Sequence, residues 1–143
     1  MKSILVAVDF NKIEQLLIDK SFQMANAFDS KLWFIHAAAP KPDFAGYSGP
    51  QSIRDSRAQE LRKEHKLLEK HSSDIKKKGV DATALLIQGA TVETIIKESK
   101  KLNVDLIITG HHDHSFFYNM LNESVSAKII KNSKIPVLYF PLG

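Results

Sequence analysis

Short apolar runs alternate along this chain with longer stretches in which apolar residues recur every three or four positions. The short runs contain no polar alternation, which is typical of parallel strands covered on both faces. They predict strands at residues 4–8, 31–39, 81–88, 104–109 and 135–140. The last of these contains Pro136, which cannot donate a backbone hydrogen bond to a neighbouring strand, so this strand is predicted to lie at a sheet edge.

The longer stretches have the helical period and separate consecutive strands. Asn11 and Glu14 predict a cap at the start of the first helix, and the second helix, residues 52–78, ends before Gly79. The predicted buried face of the first helix is Ile13, Leu16, Leu17, Met24, Ala25 and Phe28. The third helix is predicted to bury Val92, Ile95, Ile96 and Leu102, and the last helix Leu121, Val125, Ile129 and Ile130.

Five strands alternating with four helices predict an α/β fold, a single domain over residues 1–143 with helices on both faces of a parallel sheet. Right-handed crossovers leave few strand orders, and the doubly wound order 3-2-1-4-5 is the prediction. Its switch point lies between the first and fourth strands, where such folds bind ligands beyond the carboxyl ends of the strands. Asp9 and Gly110 follow those two ends.

Composition narrows the class of protein. The chain has 143 residues, 43% of them hydrophobic and 25% charged, as in ordinary globular domains and unlike disordered or coiled-coil chains. No apolar run approaches the roughly 18 residues that a membrane span needs, and the short run after Met1 ends at Asp9, so a cytoplasmic protein without a secretory signal is expected. The net charge is +4, but the lysines are spread over the helices, so no nucleic-acid partner is expected.

Candidate chemistry is concentrated after the fourth strand. The apolar run ends at Gly110, a polar loop with His111, His112, Asp113 and His114 follows, and a helical pattern resumes near Ser124. A strand, a polar loop and a helix start are the parts of an anion or nucleotide site, because the first N–H groups of a helix are free to bind a ligand.

These residues resemble the universal stress protein family, and the resemblance covers the whole chain. It is carried by Asp9 at the end of the first strand, His36 in the second, Gly89 after the third, and the Gly110 loop leading to Ser124. It implies an α/β fold like that of the adenine nucleotide alpha hydrolases. It also implies a nucleotide site in which Asp9 holds the ribose or adenine side, the Ala37 backbone contacts adenine, and the remaining contacts come from Gly110, Ser124 and Val125.

The family's phosphate motif is incomplete in this chain. Nucleotide-binding members have a glycine, two residues, a second glycine, nine residues, and a third glycine followed by serine or threonine. Gly110 and Ser124 match, but Asp113 and Glu123 replace the second and third glycines. A carboxylate about 5 Å from a phosphate charge costs roughly 3 kcal/mol at an effective dielectric constant near 20. The chain therefore looks like the universal stress protein A branch, which lacks these glycines and is regarded as not binding ATP.

The resemblance implies a homodimeric stress-response or regulatory protein without tight ATP binding, and no cofactor is expected. Two alternatives stay open: an ATP- or AMP-binding universal stress protein with slow ATPase activity, and an adaptor that binds another protein through residues 40–50 and the histidine-rich loop. No Ser/His/Asp or paired-acid arrangement identifies a catalytic mechanism, so an enzyme is not expected. The dimer is expected to form through the apolar edge strand from Ile135 to Phe140.

Single residues allow simpler interpretations. His111, His112, Asp113 and His114 include metal-binding side chains, but adjacent residues of one loop rarely converge on one ion, so no metal site is predicted. His36 lies within an apolar strand and is interpreted as a hydrogen-bonded core histidine. Ser124 and Ser126 are candidates for phosphate ligands or phosphorylation sites, and also for helix capping.

Overall fold

The chain folds into alternating strands and helices, in the order that the hydrophobic pattern predicts. The computed structural model describes residues 1–9, 14–38, 51–111 and 125–141. The elements are β1 (Ser3–Ala7), α1 (Glu14–Phe28), β2 (Lys31–Ala38), α2 (Gln51–Lys77), β3 (Ala82–Gln88), α3 (Thr91–Lys101), β4 (Leu106–His111), α4 (Val125–Asn132) and β5 (Val137–Pro141). None of the helices within these ranges is long and apolar enough to cross a membrane.

The five strands form one parallel sheet in the order β3-β2-β1-β4-β5. Val6 of β1 lies opposite Phe34 of β2 on one side and opposite Ile108 of β4 on the other. The predicted strand order and the edge position of β5 are therefore confirmed. The switch point between β1 and β4 lies where the sequence predicted it.

Helices cover both faces of the sheet and bury a core on each. On one face, Phe34 and its neighbours pack against Leu17 and Ala25 of α1 and against Leu68 and Ile75 of α2. On the other face, the core contains Leu5, Ile35, Ala37, Ile95 of α3, Val104, Ile107 and Ile129 of α4. Because helices cover the sheet on both faces, the strands are apolar at successive positions.

The predicted helix faces need correction in α1 and α4. Leu16 and Phe28 are 46% and 55% exposed, whereas Ser21 is buried and its hydroxyl donates to the Leu17 carbonyl over 2.7 Å. In α4, Val125 and Ile130 are 43% and 50% exposed, and Ser126 is buried. In both helices a small serine lies against the sheet, and serine gives no apolar signal. Ile13 and Leu121 lie outside the described residues.

The fourth strand also differs from its prediction. β4 begins at Leu106 and continues through Gly110 to His111, because Gly110 and His111 pair with Phe140 and Pro141 of β5. Gly110 therefore belongs to the strand and not to the loop after it. At the opposite end, the Asp105 carboxylate accepts the N–H groups of Lys2 (2.8 Å) and Ser3 (3.1 Å), and these backbone hydrogen bonds hold the pKa of this carboxyl below its ordinary value.

Candidate functional site: a crevice at the switch point

A crevice with a cavity of about 200 Å³ lies at the carboxyl ends of β1, β2 and β4. Four of the five predicted nucleotide-site residues line it: Asp9, Ala37, Gly110 and Val125. The fifth, Ser124, and the two acids at glycine positions, Asp113 and Glu123, lie outside the described residues. The topology thus brings these four residues together, and their role in nucleotide binding stays a prediction.

Ser126 joins the start of α4 to the end of β4. Its hydroxyl lies 3.0 Å from the Gly110 carbonyl oxygen and 3.0 Å from Thr109 Oγ1. A carbonyl only accepts, so the Ser126 proton goes to Gly110 and Ser126 Oγ accepts the Thr109 proton. Both hydroxyl-bearing residues are buried. Ser126 therefore bonds α4 to β4 at the crevice wall. In these contacts its hydroxyl bonds to the strand and not to its own helix, whereas the sequence had suggested a helix cap.

His36 lines the crevice from β2 and is hydrogen-bonded. Its Nδ1 lies 2.7 Å from the Val8 carbonyl oxygen, so Nδ1 carries the proton. Its Nε2 lies 3.5 Å from Glu64 Oε2 of α2. The prediction of a hydrogen-bonded histidine is confirmed, but the ring belongs to the crevice wall as well as to the core.

Glu14 is a crevice residue that the sequence did not identify as one. It is 8% exposed and lines the cavity from the first turn of α1. Its Oε2 lies 2.9 Å from Nε2 of His71 in α2, and these two side chains are 10% and 15% exposed. The partners are 57 positions apart in the chain, so no local pattern links them. The sequence shows only that His71 follows Glu64 by two helical turns, so that both side chains lie on one side of α2. This spacing does not identify Glu14 as the partner of His71.

The charged groups of the crevice are acidic. Asp9 and Glu14 are the acids among its described lining residues, and none of those residues is a lysine or an arginine. Leu17, Ile95 and Ala7 add apolar surface. The arrangement offers acceptors to ligand hydroxyl and amine groups next to an apolar wall. It offers a phosphate group no cationic side chain within the part of the wall that the structure describes.

The histidine-rich loop adds no described metal ligand. Within the ranges given above, no group of three histidine or acidic side chains is placed to hold an ion. His112, Asp113 and His114 lie outside those ranges, and the side chain of His111 is not described. The expectation that these residues do not form a metal site therefore stays a prediction.

A parallel sheet in the order 3-2-1-4-5, with a crevice at its switch point, is the α/β fold of the doubly wound class in which many nucleotide-binding proteins are found. The model of the universal stress protein family matches residues 1–141. The chain belongs to this family, which confirms the resemblance drawn from the Asp9, His36, Gly89 and Gly110 positions.

The similarity to known members extends over whole chains. Universal stress protein A of Salmonella typhi is 26% identical over 144 residues, which cover 99% of this chain and 94% of the relative. A universal stress protein solved in complex with cAMP has a TM-score of 0.71 and 19% identity, covering 99% of this chain and 98% of that one. A family member from Arabidopsis thaliana, solved with AMP bound, has a TM-score of 0.68 and 21% identity over 100% and 93% of the two chains. The two structures establish the shared fold.

Proposed function

We propose that this protein is a stress-response regulator whose crevice binds an adenine nucleoside or a nucleoside monophosphate and does not bind ATP tightly. The observation that carries the proposal is the charge of the crevice. Among its described lining residues, Asp9 and Glu14 are acidic and no residue is a lysine or arginine. Carboxylates accept hydrogen bonds from ribose hydroxyls and repel phosphate oxygens.

The lining of the crevice and the ligands of two similar structures support a ligand class. Ala37 and Ile95 offer apolar surface to a base, and Asp9 lines the same cavity. Two relatives in structure were solved with cAMP and AMP, each of which carries a single phosphate. This supports a nucleoside or a nucleoside monophosphate as the ligand class.

The phosphate motif supports the same limit. Asp113 and Glu123 stand where the family's nucleotide-binding members have glycines. Each side chain adds bulk where backbone N–H groups approach phosphates in those members, and each adds negative charge. A triphosphate carries more charge than a monophosphate, so it is disfavoured more strongly.

Isothermal titration calorimetry with adenosine, AMP, cAMP and ATP, with and without Mg²⁺, tests the proposal. We expect adenosine and AMP to bind at least about tenfold more tightly than ATP, a difference of about 1.4 kcal/mol. The double variant Asp113→Gly/Glu123→Gly should raise ATP affinity by about tenfold or more and leave adenosine affinity nearly unchanged.

A matched control removes two acids at the other end of the sheet. In Asp29→Gly/Asp81→Gly, both acids precede the amino ends of strands, and Asp29 has φ 54°, which glycine adopts without strain. This control should leave ATP affinity unchanged. Micromolar ATP binding by the parent, with no gain in the Asp113→Gly/Glu123→Gly variant, would favour the alternative of an ATP-binding member with slow ATPase activity.

We also propose that the protein is a homodimer in which β5 pairs with its copy. β5 lies at the sheet edge, and Tyr139 is 37% exposed there. An apolar edge strand left open is an aggregation hazard, which pairing removes. In light scattering, Tyr139→Lys should halve the mass of the parent, while Thr83→Lys on the other edge strand, β3, should not. Equal masses for the parent and Tyr139→Lys would contradict this interface.

A further inference from the structure

A groove of about 850 Å³ runs between α3 and α4, next to the crevice. Val92, Ile96 and Val125 supply its apolar surface, and Lys97, Lys100 and Lys128 line it as well. Thr91 and Val125 line both the groove and the crevice. The groove therefore adjoins the proposed nucleoside site and shares two lining residues with it, while its other lining residues differ.

The groove carries excess positive charge. Its three lysines are exposed, and none of them forms an ion pair with a described residue. Lys97 and Lys100 are three positions apart and so project from one side of α3, and Lys128 faces them from α4. Glu93 is the acid among the described lining residues. Three lysines against one glutamate make the groove complementary to an anionic partner.

The apolar surface of the groove is open to solvent in part. Val125 is 43% exposed, and Val92 and Ile96 are partly buried at the edge of the core beneath the two helices. An apolar strip bordered by charged side chains is typical of a protein-binding surface. The partner is therefore expected to be amphipathic as well as anionic.

Two other anionic ligands use this lining poorly. A polyphosphate would pair with the lysines but gain nothing from the strip formed by Val92, Ile96 and Val125. A single-stranded nucleic acid uses aromatic side chains for base stacking, and the described lining of the groove contains none. An acidic amphipathic helix uses both features, because its apolar side enters the groove while its flanking carboxylates meet the lysines.

We propose that the groove between α3 and α4 docks an acidic amphipathic helical segment of a partner protein. The apolar side of that segment rests on Val92, Ile96 and Val125, and its acids pair with Lys97, Lys100 and Lys128. This surface shares Thr91 and Val125 with the crevice, but the proposal does not depend on the proposed function, since the groove lysines do not line the crevice.

A designed peptide serves as the probe. It is a fluorescein-labelled helix of about 18 residues, five turns, with leucines along one side and glutamates on both flanks. A control peptide replaces every glutamate by glutamine. In fluorescence anisotropy, the parent protein should bind the glutamate peptide and bind the glutamine peptide at least about tenfold more weakly. Affinity for the glutamate peptide should fall as the salt concentration rises.

Variants locate the binding surface. The variant Lys97→Glu/Lys100→Glu/Lys128→Glu should lower the affinity for the glutamate peptide by about tenfold or more. Replacing the same three lysines by glutamine should lower it by a smaller factor. The matched control Lys63→Glu/Lys70→Glu/Lys76→Glu makes the same charge change on exposed positions of α2 and should retain peptide affinity. Circular dichroism confirms that each variant is folded, and amide chemical-shift changes should map to α3 and α4.

Several results would overturn the proposal. One is the absence of peptide binding by the parent, and another is an equal loss of affinity in the groove and α2 variants. Equal binding of the glutamate and glutamine peptides would also exclude it. Inorganic polyphosphate and single-stranded DNA serve as competitors, each compared with the unlabelled peptide at equal concentrations of negative charge. If either competitor displaces the labelled peptide more effectively than the unlabelled peptide does, the groove is an anion site of another kind and the proposal fails.

Discussion

The crevice and the α3–α4 groove share Thr91 and Val125, but they are built in opposite ways. The crevice uses polar side chains that are mostly buried and hydrogen-bonded: Glu14 with His71, and Ser126 with the Thr109 hydroxyl and the Gly110 carbonyl. The groove uses exposed lysines that have no described ion-pair partner. A substitution in the crevice therefore changes stability as well as binding, whereas a substitution of a groove lysine changes binding with little effect on stability.

The largest effect is expected for the pair that links the crevice to α2. In His71→Ala, Glu14 loses a hydrogen bond of 2.9 Å between two mostly buried side chains. Hydrogen bonds to charged groups contribute about 1.5–3 kcal/mol, so the free energy of unfolding should fall by about that amount. The measurement is urea denaturation followed by circular dichroism.

His65→Ala is the matched control for His71→Ala on the same helix. His65 lies 2.7 Å from Glu69, a shorter distance, but the two side chains are 45% and 61% exposed. Exposed pairs contribute about 0–1 kcal/mol, so this variant should resemble the parent. If both variants lose the same free energy of unfolding, burial does not make the Glu14–His71 pair more stabilising than the exposed His65–Glu69 pair.

The sequence predicts the architecture of the fold more completely than it predicts the crevice and the groove. Apolar runs such as Ile4–Val6 and Ile107–Ile108 show where the strands lie, and the handedness of crossovers then leaves few sheet orders. Polar residues that are buried give no such signal. Ser21 and Ser126 lie on the buried sides of their helices, where apolar residues were expected. The position of Glu14 in the crevice depends on packing between α1 and α2, which are distant in the sequence.

The groove was hidden for a different reason. Its lysines are separate members of two exposed helix faces, and along the sequence each is a solvated position. The packing of α3 beside α4 places Lys97 and Lys100 across from Lys128. The departure at Asp113 and Glu123, by contrast, was visible once these positions were compared with the glycine motif of the family that the chain resembles.

A second prediction concerns the wall of the crevice. Ser126→Ala removes the acceptor of the Thr109 hydroxyl and the donor to the Gly110 carbonyl, both at 3.0 Å in a buried site. Unsatisfied buried polar groups cost about 1–3 kcal/mol, so unfolding should occur at lower urea. Ser73→Ala, at an exposed position of α2, makes the same chemical change and should alter stability by less than about 0.5 kcal/mol. An unchanged midpoint for Ser126→Ala would show that this hydroxyl does not hold α4 to β4.

A third prediction separates charge from packing in the crevice. Glu14→Gln removes the negative charge and keeps an oxygen that can accept the His71 proton. The affinity for AMP should rise by about fivefold, or about 1 kcal/mol, through lost repulsion, while adenosine affinity should change little. Glu69→Gln alters the exposed histidine pair of α2 and should change neither in calorimetry. Parallel changes in adenosine and AMP affinity would mean that Glu14 acts on the whole site and not on the phosphate.

The smallest effect lies where α3 begins, on the wall of the groove. Ala90 has the extended backbone of an N-cap residue, φ −64° and ψ 129°, but alanine has no side-chain oxygen to accept a helix N–H. Glu93, three positions later, is already placed as the partner residue of a capping box. Ala90→Ser should therefore raise the free energy of unfolding by about 0.5–1 kcal/mol and leave affinity for the acidic peptide unchanged, because no charge is added.

Ala90→Asp supplies the same cap with a carboxylate in the groove, so it should stabilise the fold and also weaken peptide binding. If the two variants bind the peptide equally, charge does not govern the groove.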